Sequence, residues 1–315
     1  LDRFRRALGA YFVGRQDVID LMTISAVAQE PLLLIGPPGT AKSELATKFR
    51  DALGIPEEDY FEYMLTGFTE PSEIMGPIDV RLLREGRYVR RVQGKLPTAR
   101  MVFLDEIFKA NSAILNSLLT VINERKYYQD GVPERVALRV LFAATNLVPE
   151  HEELAALRDR FALKVLCRPV SEDHFVELID TGLDAQLHKD LGQRPWAEGH
   201  ATLADVLDAH RYLSLLMSQR EPGPDGEPLR DRARFFPDEL LREMRRVLST
   251  LRREDGVFIS DRKVVKLYRL LRTRAWIVHG GRVEREDLSL LAYAGNTVAE
   301  LEVLQEKVPR LLGLA

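Results

Sequence analysis

The stretch Leu32-Leu33-Leu34-Ile35-Gly36-Pro37-Pro38-Gly39-Thr40-Ala41-Lys42-Ser43 holds residue types that bind phosphate in the order the chemistry requires. Apolar residues run into a Gly/Pro turn, and Lys42-Ser43 opens the helical stretch Glu44-Leu45-Ala46-Thr47-Lys48-Phe49. A strand, a loop and a helix N-terminus in that sequence make a phosphate-binding loop. Gly36 and Gly39 let backbone N–H groups turn inward, and the helix start adds partial positive charge. The Lys42 ammonium can reach the β- and γ-phosphates, while the Ser43 hydroxyl can ligate Mg²⁺. Ala41 stands where the general pattern has a second Gly; alanine is expected to fit if that residue is already helical.

A second constellation lies downstream. Met101-Val102-Phe103-Leu104-Asp105-Glu106 is an apolar run ending in two acids. Such a run suits a strand buried on both faces of a parallel sheet, and the C-terminal ends of those strands are where such sheets bind ligands. Asp105 would hold Mg²⁺ directly or through water, and Glu106 would polarise the attacking water. Arg139-Val140-Leu141-Phe142-Ala143-Ala144-Thr145-Asn146 reads as another buried strand ending in a polar residue. Asn146 can orient the attacking water or touch the γ-phosphate, and equally it can be a plain turn residue.

With 315 residues, 45% hydrophobic and 30% charged, the chain is globular and long enough for one large or two ordinary domains. A net charge of −3 gives no global electrostatic case for nucleic acid. The lone Cys167 has no internal disulfide partner, and its apolar neighbours favour a core role. No run approaches the roughly 20 apolar residues of a membrane span, so a cytoplasmic protein is the simplest expectation.

Other elements must position these groups. Residues 1–31 carry helical periodicity broken by Val13-Gly14-Arg15, where a Gly suits either backbone close to adenine or an ordinary turn. Phe61 to Leu65 reads as a strand. The stretch Asp79 to Arg91 is expected to form a β-hairpin around Glu85-Gly86. Its five arginines make it either a solvated finger or a contact element. Asn111-Ser112 caps a helix carrying Ile114, Leu115, Leu118, Leu119 and Ile122, and Asp130-Gly131 turns a second hairpin. After the strand Leu163–Leu166 the pattern becomes helical, over 172–191, 201–219, 237–253, 260–279 and 284–308, with a Pro/Gly-rich linker near 221–228. The fold class expected is α/β: a core over 1–168 with a parallel sheet between helices and two hairpin insertions, then an all-helical domain over 169–315.

These residues together resemble an AAA+ ATPase of the MoxR group, closest to its RavA-like branch. The resemblance rests on Gly36 to Ser43, on Phe103-Leu104-Asp105-Glu106-Ile107 with Lys109-Ala110-Asn111, and on Ala144-Thr145-Asn146. Leu65-Thr66-Gly67 and Gly76-Pro77 carry the branch. It implies that Asn146 is the first sensor and that the helical region is a lid. It also implies that Arg160, with Arg158 a near competitor, is the arginine finger reaching a neighbouring subunit's γ-phosphate. Arg262 matches the second sensor, although Asp261 stands where that motif has Pro. The implied nucleotide-binding set is Val13, Gly14, Gly36, Pro37, Pro38, Gly39, Thr40, Ala41, Lys42, Ser43, Glu44, Asp105 and Arg262. Lys42, Glu106, Asn146 and Arg160 would carry catalysis, with Ser43 and Asp105 on the metal. The cofactors would be ATP and Mg²⁺, and the working form a homo-hexamer.

The resemblance implies a chaperone-like remodeller acting with a von Willebrand factor A-domain (vWA) partner, in metal insertion or complex maturation, its basic finger touching the partner. A nucleic-acid motor is a second reading, which the net charge argues against. An ATP-gated scaffold is a third, which Glu106 and Asn146 argue against.

Overall fold

The computed structural model describes residues 1–218 and 233–314, and the backbone of 221–222 and 228–229. The strands are β1 (Leu32–Ile35), β2 (Tyr60–Met64), β3 (Met101–Asp105), β4 (Lys126–Gln129), β5 (Val132–Arg135), β6 (Val140–Thr145) and β7 (Leu163–Leu166). The core helices are α1 (Asp2–Gly9), α2 (Gln16–Ala28), α3 (Lys42–Ala52), α4 (Pro71–Met75), α5 (Val80–Arg84), α6 (Ser112–Glu124) and α7 (Ala155–Arg160). After β7 come α8 (Phe175–Asp190), α9 (Leu203–Ser218), α10 (Asp238–Asp255), α11 (Asp261–His279) and α12 (Val298–Leu312).

Five strands form one parallel sheet in the order β2-β3-β6-β1-β7. Every residue of β1 and β6 is buried, and β3 is buried up to Leu104. Helices therefore cover both faces, as a parallel sheet demands. On one face Phe49 of α3 lies edge-on between Phe4 of α1 and Phe142 of β6, at 5.3 and 5.2 Å between ring centres. Lys48 of α3 is buried among Tyr11, Phe12 and Trp196, its ammonium 4.5 Å from the Trp196 ring. These contacts fix the helix that opens with Lys42.

The second insertion is the expected hairpin, with Lys126 opposite Arg135 in β4–β5. The first is not. Residues 77–91 close at their base, where Asp79 N–H donates to Val89 O (2.8 Å) and Arg91 N–H to Pro77 O (2.8 Å), but the tip is the short helix α5. Asp79 caps it by accepting from the N–H of Arg81 at 2.9 Å, and Leu82-Leu83-Arg84 are good helix formers, so the cap overrides the apparent alternation. The two insertions dock on each other: Asp130 N–H donates to Tyr88 O (2.8 Å), and Arg90 N–H to the Gln129 side chain (2.6 Å).

The helix expected over 284–308 is divided. A 3-10 helix, Arg285–Tyr293, ends before Gly295, and α12 starts behind Thr297, whose side chain caps it. A Cβ at Gly295 would sit 2.9 Å from Leu301 N, so the bend that folds the chain back onto the start of α12 favours glycine there. The linker near 221–228 lies outside the described residues except at its ends, where Glu221–Pro222 pairs antiparallel with Pro228–Leu229. Among the described residues no helix is long and apolar enough to cross a membrane.

One buried apolar cluster runs from Phe4 of α1 through the sheet to Leu312 of α12. At its seam two lysines, both 0% exposed, share the Asn296 side-chain oxygen: Lys263 of α11 at 2.8 Å and Lys164 of β7 at 3.4 Å. Lys164 also donates to Gly295 O (2.8 Å) and Phe161 O (2.9 Å). Burial pushes Lys164 well below the usual lysine range, helped by the nearby Lys263 charge. Burial brings Lys263 down to about 8 against the opposing pull of Asp159. Between that value and the ordinary lysine value of about 10.4, the unfolded chain holds more protons than the folded one, so stability rises with pH there. The melting temperature of the wild type relative to Lys263→Met should therefore increase from pH 8 to pH 10. A constant difference would place Lys263 in the ordinary range.

Candidate nucleotide site

The loop after β1 is held by its neighbours on both sides. Gly36 N–H donates to Thr145 O of β6 at 3.1 Å. On the β7 side a Cβ at Gly36 would lie 2.3 Å from the Cys167 carbonyl oxygen, so only glycine fits. Gly39 is at φ +81° with open space around its Cβ position, and the Thr40 hydroxyl donates to Pro37 O at 2.9 Å. Helix α3 begins at Lys42, directly behind this turn. Ala41 departs from the expectation of a helical residue. It lies at φ +62°, ψ +21°, in the left-handed region, where a Cβ costs about 1–2 kcal/mol. The turn into α3 demands that conformation, so alanine is tolerated under strain.

Three strand ends meet at this loop, and their order decides the geometry. Because β6 lies between β1 and β3, the ends of β1 and β3 are about 10 Å apart, two strand spacings. Asn146, at the end of β6, spans the gap. Its side-chain oxygen accepts from Lys42 Nζ at 3.2 Å and its Nδ2 donates to Glu106 Oε1 at 2.5 Å. Lys42, 7% exposed, also donates to Gly36 O (2.6 Å) and Pro37 O (2.9 Å). Glu106 is 7% exposed, adopts φ +53°, and is met by Lys109 Nζ at 3.3 Å. The Asp105 carboxylate accepts from Glu106 N–H at 2.8 Å, which fixes that turn.

The remaining predicted residues are distributed unevenly. Glu44 faces Lys48 at 2.9 Å along α3, a half-exposed carboxylate on a buried ammonium. Gly14 is at φ +63° with no atom near its Cβ position, a backbone conformation that favours glycine. Arg15 beside it donates to Arg168 O at 2.6 Å, tying this turn to the end of β7. Cys167 is buried, and burial pushes its thiol up to about 11, an unreactive state.

The two arginines of α7 separate clearly. Arg158 is consumed by main-chain carbonyls, donating to Pro149 O, to His151 O at 3.0 Å and to Glu150 O at 3.3 Å. Arg160 is half-buried, its Nε has no partner, and it lines a cavity of about 820 Å³. Arg262 lines the same cavity, with Arg125, Lys266 and Arg269, and no phosphate-loop residue forms its wall. The structure thus groups Arg262 with Arg160 and not with its own chain's Lys42. Sequence reasoning missed Glu30, Arg125, Lys266 and Arg269 here; each reads as an ordinary surface charge, with no local signal.

Comparison with known proteins decides the family. Residues 1–204 match the profile of the MoxR domain in the MoxR-vWA-beta-propeller ternary systems, and residues 238–306 match an AAA lid domain. The chain belongs to the MoxR family of AAA+ ATPases. An uncharacterized protein of Methanocaldococcus jannaschii is 32% identical over 295 residues, covering 93% of this chain and 70% of that protein. The chaperone MoxR1 of Mycobacterium tuberculosis is 27% identical over 157 residues, covering 49% of this chain and 40% of the chaperone. The crystal structure of a candidate ATPase from Cytophaga hutchinsonii shares the fold, with a TM-score of 0.71 at 15% identity, covering 100% of this chain and 93% of that one.

The strain at Ala41 in this MoxR chain yields a direct test. Ala41→Gly relieves the left-handed Cβ at some cost in unfolded-state entropy, so stability should rise by about 0.5–1 kcal/mol. A denaturation midpoint unchanged or lowered in the variant would contradict the backbone geometry.

Proposed function

We propose that this MoxR protein is a Mg²⁺-dependent ATP hydrolase whose sites are completed between subunits of a ring and which remodels a partner complex. The observation that carries this reading is the Asn146 amide, which joins Lys42 to Glu106. The residues suit the ligand. The loop offers N–H groups, a helix start and an ammonium, and Ser43 with Asp105 offers the hard oxygen donors that Mg²⁺ prefers. Bound metal would spread the charge of the phosphates during transfer. Lys42 would neutralise β- and γ-phosphate oxygens, and Glu106 would hold the attacking water and take its proton. Asn146 would keep both groups in register. Val13 and Gly14, at the turn that Arg15 ties to the end of β7, are our candidates for the adenine.

Arg160 is the residue we assign as the finger for a neighbouring subunit, because Arg158 is already spent on the 149–151 turn. Arg262, on the same cavity wall, is read with it. A hexameric ring would supply the neighbour. The profile matched by residues 1–204 supports a vWA partner, and it supports the ternary-system setting more directly than the RavA-like branch. The contact element we propose is the tip of the first insertion. Arg81, Arg84 and Arg87 are exposed there, whereas Arg90 and Arg91 are held by Gly76 O and Asp79.

Steady-state ATPase per subunit against protein concentration tests the completed site. Wild type should rise steeply with concentration, and Arg160→Ala should lose about 10³-fold or more at every concentration. A flat wild-type profile with an unaffected variant would remove both finger and ring. Replacing Arg81, Arg84 and Arg87 together by Ser should weaken vWA-partner binding at least tenfold while ATPase activity stays intact. Unchanged binding would move the contact elsewhere.

A further inference from the structure

The carboxyl end of α2 is a junction between the sheet and the lid. Its last carbonyls are taken by three different helices or their ends: Val27 O by His210 Nδ1 of α9 (2.8 Å), Ala28 O by Arg269 of α11 (3.3 Å), and Gln29 O by Arg125 behind α6 (2.8 Å). Glu30 follows at once, 8% exposed, in the wall of the cavity that holds Arg160. Its carboxylate receives two cations of α11, Lys266 Nζ at 2.9 Å and Arg269 Nη1 at 3.0 Å. Lys266 also donates from the same Nζ to the main-chain carbonyl of Arg160 at 3.1 Å. A second tie runs beside it, from Ser260, the cap of α11, to the Asp159 carboxylate at 2.9 Å. The lid helix therefore grips both residues at the end of α7, and Glu30 fixes the cation that grips Arg160.

We propose that Glu30 and Lys266 are positioning residues that couple a subunit's lid to the finger it offers its neighbour. Glu30 touches no reacting atom. It neutralises and locates Lys266 and Arg269, and Lys266 sets the main chain from which the Arg160 side chain extends. A lid displaced relative to α2 would carry Lys266 with it and shift Arg160, so nucleotide state in one site would be felt at the next. Removing the Glu30 charge leaves two cations facing each other in a half-buried wall already crowded with Arg125 and Arg262, and the grip on Arg160 is lost. This inference rests on the reading of Arg160 as a finger acting in trans.

Mixed rings separate the coupling from simple loss of fold. Wild-type protein is mixed with an equal amount of Glu106→Gln protein, whose own sites are silent but whose fingers still serve neighbours. It is mixed likewise with Glu106→Gln carrying Glu30→Gln, and with Glu106→Gln carrying Arg160→Ala. Random mixing places a faulty finger against half of the wild-type sites. Turnover per wild-type subunit should therefore fall about twofold below the Glu106→Gln control for both double variants, since a finger is worth about 10³ or more. The ATP KM of the remaining activity should not change. If the Arg160→Ala mixture poisons its neighbours while the Glu30→Gln mixture equals the control, the coupling is overturned and the finger stands. If neither poisons, the trans finger falls and the coupling with it. Lys266→Met, which keeps the aliphatic stem, is measured in the same way, so that a Glu30→Gln protein unable to fold leaves the test intact. It should behave as Glu30→Gln does, and a mixture equal to the control overturns the coupling.

Discussion

The site depends on one topological constraint: β6 runs between β1 and β3. A phosphate loop and an acidic strand end placed on adjacent strands would meet directly. Here they stand two strand spacings apart, and a short polar side chain must join them. Asn146 does so with its two unlike ends, an acceptor toward Lys42 and a donor toward Glu106. An amide suits this position because it carries both functions on one rigid plane; an acid would repel Glu106 and an alcohol would not span the gap. The left-handed conformations of Ala41 and Glu106, on either side of the bridge, are local strain that the buried sheet is stable enough to hold.

Around this centre the molecule divides its arginines by what they can reach. Arg158 and Arg125 are bound by main-chain carbonyls and act as struts. Arg160 and Arg262 face a cavity together, and the few acids nearby do not balance the positive charge in its wall. A polyanion is the natural complement of such a wall, in keeping with the proposal that Arg160 serves a site shared between subunits. The lid contributes through charge as well as apolar burial: α11 reaches the sheet by Lys263, Lys266 and Arg269, each directed at oxygen atoms of the core side or its seam.

The insertions follow a different logic. They pack on each other through main-chain hydrogen bonds and through the side chains of Gln129 and Asp130. Such a pair is held in place while its tip stays exposed and charged, a suitable arrangement for contact with another molecule.

Much of this was legible in the chain because the relevant signals are local. The Gly/Pro loop with Lys42-Ser43, the apolar runs ending in Asp105-Glu106 and Asn146, and the change to helical periodicity after Leu166 each lie within a few residues, so composition and period suffice to read them. Local reading failed where two local preferences compete, as at residues 79–91, where the Asp79 cap outweighs alternation. It failed again where backbone sign matters, as at Ala41, whose φ is set by the turn into α3 and not by its own side chain. What only the tertiary structure decided is which distant charges meet. Nothing near Glu30 marks it as the partner of Lys266 and Arg269, more than two hundred residues away, and nothing in Leu157-Arg158-Asp159-Arg160 tells the strut from the free arginine. Pairing across such separations is fixed by the packing of whole elements, and that information exists only once the sheet and the lid have closed on each other.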